Sequence, residues 1–201
     1  MTAKLTYADK FSCGNGGASY TVKYFCANGM YDPNVTGTGH QPLLFDQYMA
    51  LYHKYAVTSS RISVRPIQFN TNSYATSVYY GILMLPEASN SPTTIDNLIE
   101  QLTLDKRSSG PQLLVAGTLG NNNYGQRKAW CNYNAVRENG KRFFSEIPDN
   151  QYGDATTNPN GKWYFAVVIM GAGDQFYDGL DWEVNIEYTS QFLDRHRVTS
   201  S

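Results

Sequence analysis

"DWEVNIEYT", residues 181–189, alternates without a break between apolar and polar side chains. In an extended chain successive side chains point to opposite faces, so the apolar residues share one face and the acidic and amide residues share the other. The apolar face carries Trp182, Val184, Ile186 and Tyr188. This period of two predicts a β-strand with one face in a hydrophobic core and the other in solvent.

Seven further segments have the composition of strands, because they are rich in aromatic and β-branched residues and are bounded by turn-forming residues. They are residues 20–27, 55–69, 76–85, 111–117, 126–134, 141–147 and 162–170. The alternation within 55–69 changes phase near Thr58 and Ser59, which predicts a β-bulge. Short strands separated by turns predict an all-β fold, a single eight-stranded jelly roll of two packed antiparallel sheets.

Two short helices are predicted in the connecting loops of this jelly roll. Pro42 allows a helix to begin just upstream of residues 45–52, where apolar residues recur at helical spacing. These residues are Phe45, Tyr48, Met49 and Tyr52. The same spacing recurs in residues 95–102, and Thr93 with Asp96 resembles a capping box at the start of that helix.

The composition fits one domain of 201 residues. A net charge of −1 provides no general attraction to nucleic acid or to an anionic membrane surface. The three cysteines lack CxxC spacing, which predicts free core thiols in a reducing compartment rather than a disulfide framework or a zinc site. We find no apolar run with the properties of a signal peptide or a membrane span, so no membrane partner is expected.

The sequence lacks the motifs of the common catalytic sites. The glycine-rich stretch 35–42 has no lysine for a phosphate-binding loop and no third glycine for a dinucleotide site. No G-x-S-x-G nucleophile elbow and no HxH or HExxH metal motif is present. We therefore expect no enzymatic activity, no cofactor and no metal, and we expect His40 to be a loop residue that hydrogen-bonds the backbone.

Basic residues provide a weaker signal for nucleic acid. Arg61 and Arg65 would share the polar face of one strand, and Arg127 and Lys128 form a pair further along the chain. These four are candidates for sequence-independent contacts with phosphate groups. The alternative is that they cover a solvated face or form salt bridges.

The run "YDPNVTGTGHQPLLFDQYMALYHKYAVTSSRISV", residues 31–64, resembles capsid proteins of circovirus-like viruses, which carry circular single-stranded DNA and encode a replication initiator. The runs 158–170 and 181–194 also resemble the last two strands of those proteins, so the resemblance spans residues 20–194. It implies a jelly-roll subunit in a T=1 icosahedral shell of a virion. It further implies self-association and packaging of single-stranded DNA, and it points to no particular receptor.

The resemblance also implies structural roles for the loop and helix within residues 31–64. The loop would leave the first strand, and the helix would cover one end of the sandwich. The loop residues are Asp32, Pro33, Gly39, His40, Gln41 and Pro42, and the helix residues are Phe45, Asp46, Tyr48 and Tyr52.

One departure from the family concerns the N-terminal segment. Capsid proteins of this kind begin with an arginine-rich arm, whereas here only Lys4 and Lys10 precede residue 17. We therefore expect residues 1–17 to be a flexible segment or the remnant of a removed arm, residues 18–195 to form the capsid domain, and residues 196–201 to form a tail. Binding to DNA should be weak. Two alternatives remain, a carbohydrate-binding jelly-roll module and a capsid protein of a small RNA virus or satellite.

Overall fold

The computed structural model describes residues 1–13, 20–37, 39–69, 77–86, 88, 94–114, 128–140, 143, 146–172 and 180–196. Within them lie eight strands: β1 (Thr2–Cys13), β2 (Tyr20–Cys26), β3 (Tyr52–Phe69), β4 (Val78–Leu85), β5 (Gln112–Leu114), β6 (Ala129–Asn134), β7 (Tyr164–Gly171) and β8 (Leu180–Arg195). Three short α-helices accompany them: α1 (Phe45–Met49), α2 (Ile95–Leu104) and α3 (Ala135–Asn139).

The strands form two four-stranded antiparallel sheets. The first sheet has the order β1-β8-β3-β6, and the second has the order β2-β7-β4-β5. Strands adjacent in the sequence thus lie in opposite sheets at both ends of the chain. This arrangement is the predicted jelly roll.

The hydrophobic core lies between the two sheets. The predicted alternation of β8 is confirmed, because its four apolar side chains are fully buried while the intervening residues are partly or fully exposed. They meet the inner face of the second sheet, for example where Tyr80 contacts Trp182 with ring centroids 4.9 Å apart. The predicted bulge in β3 is also confirmed, since the register with β8 shifts between Val57 and Ser59.

The N-terminal segment differs from the expectation. Residues 2–13 do not form a flexible arm: they pair with β8 along their whole length, from Thr2 opposite Gln191 to Cys13 opposite Leu180. Leu5 and Tyr7 of this strand are buried in the core. As a result β2 is the second strand, and the loop at residues 31–44 does not leave the first strand as expected.

The strand predicted at residues 141–147 falls mainly outside the described residues. Of that range, Phe143 lies in a single helical turn and residues 146–147 are not in a strand. The remaining predicted strands are present with shifted ends. Among the described residues the eight strands include β1, which was not predicted.

Helix α1 is shorter than predicted. It ends at Met49, and Tyr52 begins β3 instead of completing a second helical turn. Phe45 and Met49 are buried, whereas Tyr48 is half-buried and stacks on Phe192 with ring centroids 4.7 Å apart. The helix therefore covers one end of the sandwich with a short apolar face.

Helix α2 covers the outer face of the second sheet. Leu98 and Leu102 pack there in a separate small core with Leu83 and residues of β7. Gly81 of β4 lies directly beneath Leu102. A Cβ atom at this position would overlap the leucine side chain, so glycine allows the helix to pack this close to the sheet. The helix is capped by Thr94, which accepts a hydrogen bond from the Asn97 amide, one residue later than the predicted Thr93.

Candidate nucleic-acid interface

The outer face of the first sheet is polar and rich in charge. It is built by the alternation of four strands, whose outward side chains include Lys4 and Lys10 of β1, Glu183 and Glu187 of β8, Arg61 and Arg65 of β3, and Trp130 and Asn132 of β6. The sheet therefore places together basic residues that are far apart in the sequence. Whether such a face attracts phosphate groups depends on how far its own carboxylates neutralise it.

Arg65 is neutralised within the sheet. Its guanidinium donates to one carboxylate oxygen of Glu183 from Nε at 3.0 Å and from Nη2 at 2.5 Å. Lys10 also lies opposite Glu183 in the register of β1 with β8. Of the two predicted arginines on β3, Arg65 thus corresponds to the salt-bridge alternative.

Arg61 is placed differently. It forms no ion pair with the described residues, although Glu187 lies opposite it in the register with β8. Its guanidinium lies over the half-buried ring of Trp130, 5.0 Å from the ring centroid. An exposed arginine held over an aromatic ring by a cation–π contact presents its remaining donors to solvent in a fixed orientation.

A surface cavity of about 380 Å³ adjoins Arg61. It spans all four strands of the first sheet, and its polar lining includes Lys4, Ser59, Arg61, Asn132, Asn134, Arg137, Glu187 and Thr189. Arg137 is held in place there, because it donates to Glu138 and to the Asn132 carbonyl oxygen at 2.7 Å each. Hydroxyl, amide and cationic donors are the groups that contact sugar and phosphate in nucleic-acid interfaces.

Glu187 limits what this cavity can bind. Its exposed carboxylate repels an anion that enters between Arg61 and Lys4. The arrangement can therefore hold a phosphate only weakly, and in a manner that salt would screen.

The remaining predicted basic pair lies elsewhere. Lys128 is exposed just before β6, at the end of that strand where Ala129 pairs with Val64, and Arg127 is outside the described residues. The sequence interpretation missed Lys4 and Arg137 as neighbours of Arg61. The alternation of apolar residues in β1 could have predicted that Lys4 lies on the outer face of the sheet. Nothing local in the sequence indicates the position of Arg137.

The loop at residues 31–44, hereafter the edge cover, closes one side of the sandwich. Pro33 accepts a hydrogen bond from the Cys26 amide at 2.7 Å, and Asn34 bridges to Phe25, so the first part follows the free edge of β2. Leu43 donates to the Thr6 carbonyl oxygen at 3.3 Å, so the last part follows the free edge of β1. The edge cover thus contacts an edge strand of each sheet, where unpaired backbone groups would otherwise be open to another chain.

Close packing requires a glycine within the edge cover. A Cβ atom on Gly39 would lie 2.8 Å from Cβ of Asn34 and 2.9 Å from Oη of Tyr7. Such contacts leave no room for any side chain at this position. The glycine therefore allows the loop to approach β1, which agrees with the interpretation that the glycines here are structural.

The remaining loop and helix residues also make local contacts. The backbone amide of Asp32 donates to Oδ1 of Asn158 at 3.3 Å, and its carbonyl oxygen accepts from Nδ2 of Asn158 at 3.0 Å. Burial raises the pKa of the Asp32 carboxyl group. The Pro42 carbonyl oxygen accepts from the Phe45 amide at 3.0 Å at the start of α1. Asp46 lies in the first turn of that helix, where its charge is favourable. The Tyr52 hydroxyl contacts Sδ of Met1 at 3.3 Å.

His40 hydrogen-bonds the backbone, as expected of a loop histidine. Its Nδ1 lies 2.8 Å from the Gln41 carbonyl oxygen, and its Nε2 lies 2.8 Å from the Ala8 carbonyl oxygen. The second contact joins the edge cover to the middle of β1.

In the part of the chain that the structure describes, no group of three metal-ligating side chains occurs. The three cysteines are buried and free, and burial raises the pKa of each thiol to about 12. Among the described residues no helix is long and apolar enough to cross a membrane.

No protein-family profile and no curated protein matches the sequence. Several solved structures are similar to the fold. The decameric BFDV capsid protein is 10% identical, with 96% of this chain and 99% of that chain covered and a TM-score of 0.45. A chain of Mud crab tombus-like virus is 13% identical, with 98% and 83% covered and a TM-score of 0.48. A chain of Melon necrotic spot virus is 14% identical, with 98% and 56% covered and a TM-score of 0.49.

These similarities are too low to assign a function. The strand order of the two sheets by itself defines the class of this protein, a jelly-roll β-sandwich.

Proposed function

We propose that this chain is the subunit of a viral capsid and that it assembles into a T=1 icosahedral shell around a circular single-stranded DNA genome. The observation that carries the proposal is the position of the motif at residues 31–64. It occupies the edge cover, α1 and the first part of β3 in an eight-stranded jelly roll. The resemblance to circovirus-like capsid proteins implies a loop, a helix across the sandwich end and a strand for this run.

Exposed leucines beside α1 support self-association. Leu43 is 78% exposed, and Leu44 and Leu51 are each 51% exposed at the two ends of the helix. Leu44 has a φ of 71°, a left-handed conformation that costs a non-glycine residue about 1 kcal/mol or more. Apolar side chains held outward in this way favour contact with another subunit over contact with solvent.

We further propose that the outer face of the first sheet points toward the genome. Arg61 over Trp130 and the neighbouring Lys4 supply cations and an aromatic surface, the two features by which proteins hold single strands without reading sequence. Their number is small and Glu187 opposes them, so particles of this chain should be largely empty and should release nucleic acid at moderate salt.

The same fold class would serve an RNA genome equally well, so the type of nucleic acid is one of the outcomes to be tested. The carbohydrate-binding alternative is less favoured, because the cavity that spans the first sheet has the cations Lys4, Arg61 and Arg137 in its lining. A virion is accordingly the proposed location of the protein.

Electron microscopy and light scattering of the purified chain would test assembly. We expect closed particles with the mass of sixty 22.5-kDa chains. Leu43→Asp should prevent their formation and leave a folded subunit. Leu104→Asp, at a leucine that is 80% exposed on α2, is the matched control and should still assemble.

Digestion with DNase or RNase of the nucleic acid that particles retain at low salt then distinguishes DNA from RNA. A wild-type chain that stays monomeric at every salt concentration would refute the capsid proposal. Particles whose nucleic acid resists high salt would refute the proposed weak interface but not the assembly.

A further inference from the structure

The two ring nitrogens of His40 each face a carbonyl oxygen at 2.8 Å, one from Gln41 and one from Ala8. A carbonyl oxygen can only accept a hydrogen bond, and a neutral imidazole has only one N–H to donate. Both contacts are therefore hydrogen bonds only when the ring carries two protons and a positive charge. The geometry specifies an imidazolium.

The surroundings favour that charge. The ring of Tyr7 lies beside the imidazole with centroids 4.7 Å apart, and the Tyr7 hydroxyl donates to Asp9 at 2.7 Å. The titratable groups around His40 are Tyr7 and Asp9 from β1 and Tyr31 and Asp32 from the edge cover. The backbone bonds to Gln41 and Ala8, followed by the charge of Asp9, raise the pKa of His40, and partial burial opposes them.

Among the described residues, the bond to Ala8 is one of two that the edge cover makes to carbonyl oxygens of β1, and the Asn34 side chain adds a longer bond to Oδ2 of Asp9 at 3.5 Å. Thr6 and Ala8 are two residues apart on β1, so both carbonyl groups point to the free edge of the first sheet. The other bond, from the Leu43 amide to Thr6, is longer at 3.3 Å. His40 is thus the shorter and charge-assisted attachment of the edge cover to β1.

We propose that His40 is a pH-dependent latch, which holds the edge cover on β1 while its imidazole is protonated and releases the β1 edge when the proton is lost. The neutral ring keeps one donor, so one of the two carbonyl oxygens is left facing a lone pair. The bond to the adjacent Gln41 is local, whereas the bond to Ala8 depends on the loop staying in place. The neutral form therefore loses the contact with β1.

The direction of the pH effect follows from linkage. Because the pKa of His40 is raised in the folded chain, the latch contributes its full stability below the unfolded pKa of about 6.5 and loses it as the pH rises through the folded value. Mildly acidic solution closes the edge, and alkaline solution opens it. This regulation does not depend on the proposed capsid function.

Hydrogen–deuterium exchange with mass spectrometry would test the latch in any oligomeric state. Exchange at the imidazole C2 carbon between pH 5.5 and 8.5 measures the pKa of His40, which we expect above 6.5. Over the same titration the Leu43 amide should lose protection by about tenfold after correction for the intrinsic rate, the loss expected for one charge-assisted hydrogen bond.

Two variants separate the latch from other histidines. His40→Gln can bond one carbonyl oxygen but does not titrate, so the pH-dependent change at Leu43 should disappear. His53→Gln is the control, because His53 lies against His196, away from the edge cover, and should leave the change intact. A His40 that titrates at or below 6.5, or protection at Leu43 that is equal on both sides of the titration, would overturn the proposal. The titration of the wild-type chain decides this even if His40→Gln does not fold.

Discussion

The ring of Phe45 meets the ring of Tyr55 edge to face, with centroids 5.4 Å apart. Tyr55 is fully buried, and its hydroxyl accepts from the Met30 amide at 2.9 Å and from the Tyr31 amide at 3.3 Å. The same hydroxyl donates to Asn158 Oδ1 at 3.2 Å. One tyrosine of β3 thus connects α1, the start of the edge cover and the loop before β7. Helix α1 is therefore part of the core at the end of the sandwich.

Phe45→Ala should be strongly destabilising. The side chain is 1% exposed, and removing a buried phenylalanine costs about 3–5 kcal/mol. Tyr48→Ala should cost less, about 2 kcal/mol, because Tyr48 is half-buried and its main contact is the stack on Phe192. Urea unfolding of the unassembled subunit measures both, with Leu43→Ala as an exposed control near zero. Equal losses for Phe45 and Tyr48 would contradict the observed difference in burial.

Gly81→Ala should destabilise the chain by about 1–3 kcal/mol, because its methyl group would overlap Leu102 of α2. Leu102→Ala removes the side chain that this methyl group would overlap, but it leaves a cavity beneath α2. The double variant should then be clearly more stable than the sum of the two single effects, as a double-mutant cycle would measure. Strict additivity would mean that α2 does not pack on β4 at this point.

Arg61→Gln should weaken binding to single-stranded DNA and lower the slope of log affinity against log salt by about 0.7, the contribution of one phosphate contact. Arg65→Gln is the matched control from the same strand and face. Because the Arg65 charge already pairs with Glu183, its removal should leave that slope unchanged. Filter binding at several salt concentrations would show the difference. If Arg65→Gln lowered the slope and Arg61→Gln did not, the interface would lie at the Arg65 end of β3.

The cysteines should resist alkylation in the folded protein. Burial is the largest cause that raises the pKa of Cys26 and Cys131 to about 12, so neither is a thiolate at pH 8. Mass spectrometry after iodoacetamide treatment should find both unmodified, and both modified after unfolding. The same shift implies that stability falls as the pH rises above the unfolded value of about 8.5 toward 12, since the unfolded chain then releases protons that the folded chain retains. Rapid alkylation of the native chain would contradict their burial.

Much of the fold could be predicted from periodicity, as β8 shows. In contrast, β1 was missed although Leu5, Tyr7, Phe11 and Cys13 alternate in the same way. Asp9 interrupts that pattern, and its role, to accept from the Tyr7 hydroxyl, becomes visible only in the folded chain. The expectation of a basic arm from the family resemblance also favoured a flexible segment over a strand.

The candidate interface was less predictable. The period of two predicted that Arg61 and Arg65 share one face of β3, and the structure agrees. The same period could not show which of the two arginines forms a salt bridge. That distinction depends on the register of β3 with β8, which puts Glu183 opposite Arg65 and is set by packing across the sheet. In the same way, the contact of His40 with Ala8 joins positions 32 residues apart, and no local pattern encodes it.

The strand order also constrains when the chain can fold. β8 lies between β1 and β3, and β7 lies between β2 and β4, so each sheet is joined at its centre by one of the last two strands. On the ribosome β1 and β2 have no partner in their sheets until residues 164–195 have emerged, and closing such long loops is entropically slow. Folding is therefore largely post-translational, because a nascent chain that stops before Tyr164 can form only the β3–β6 and β4–β5 pairs and can complete neither sheet. Until then its unpaired strands depend on protection from aggregation.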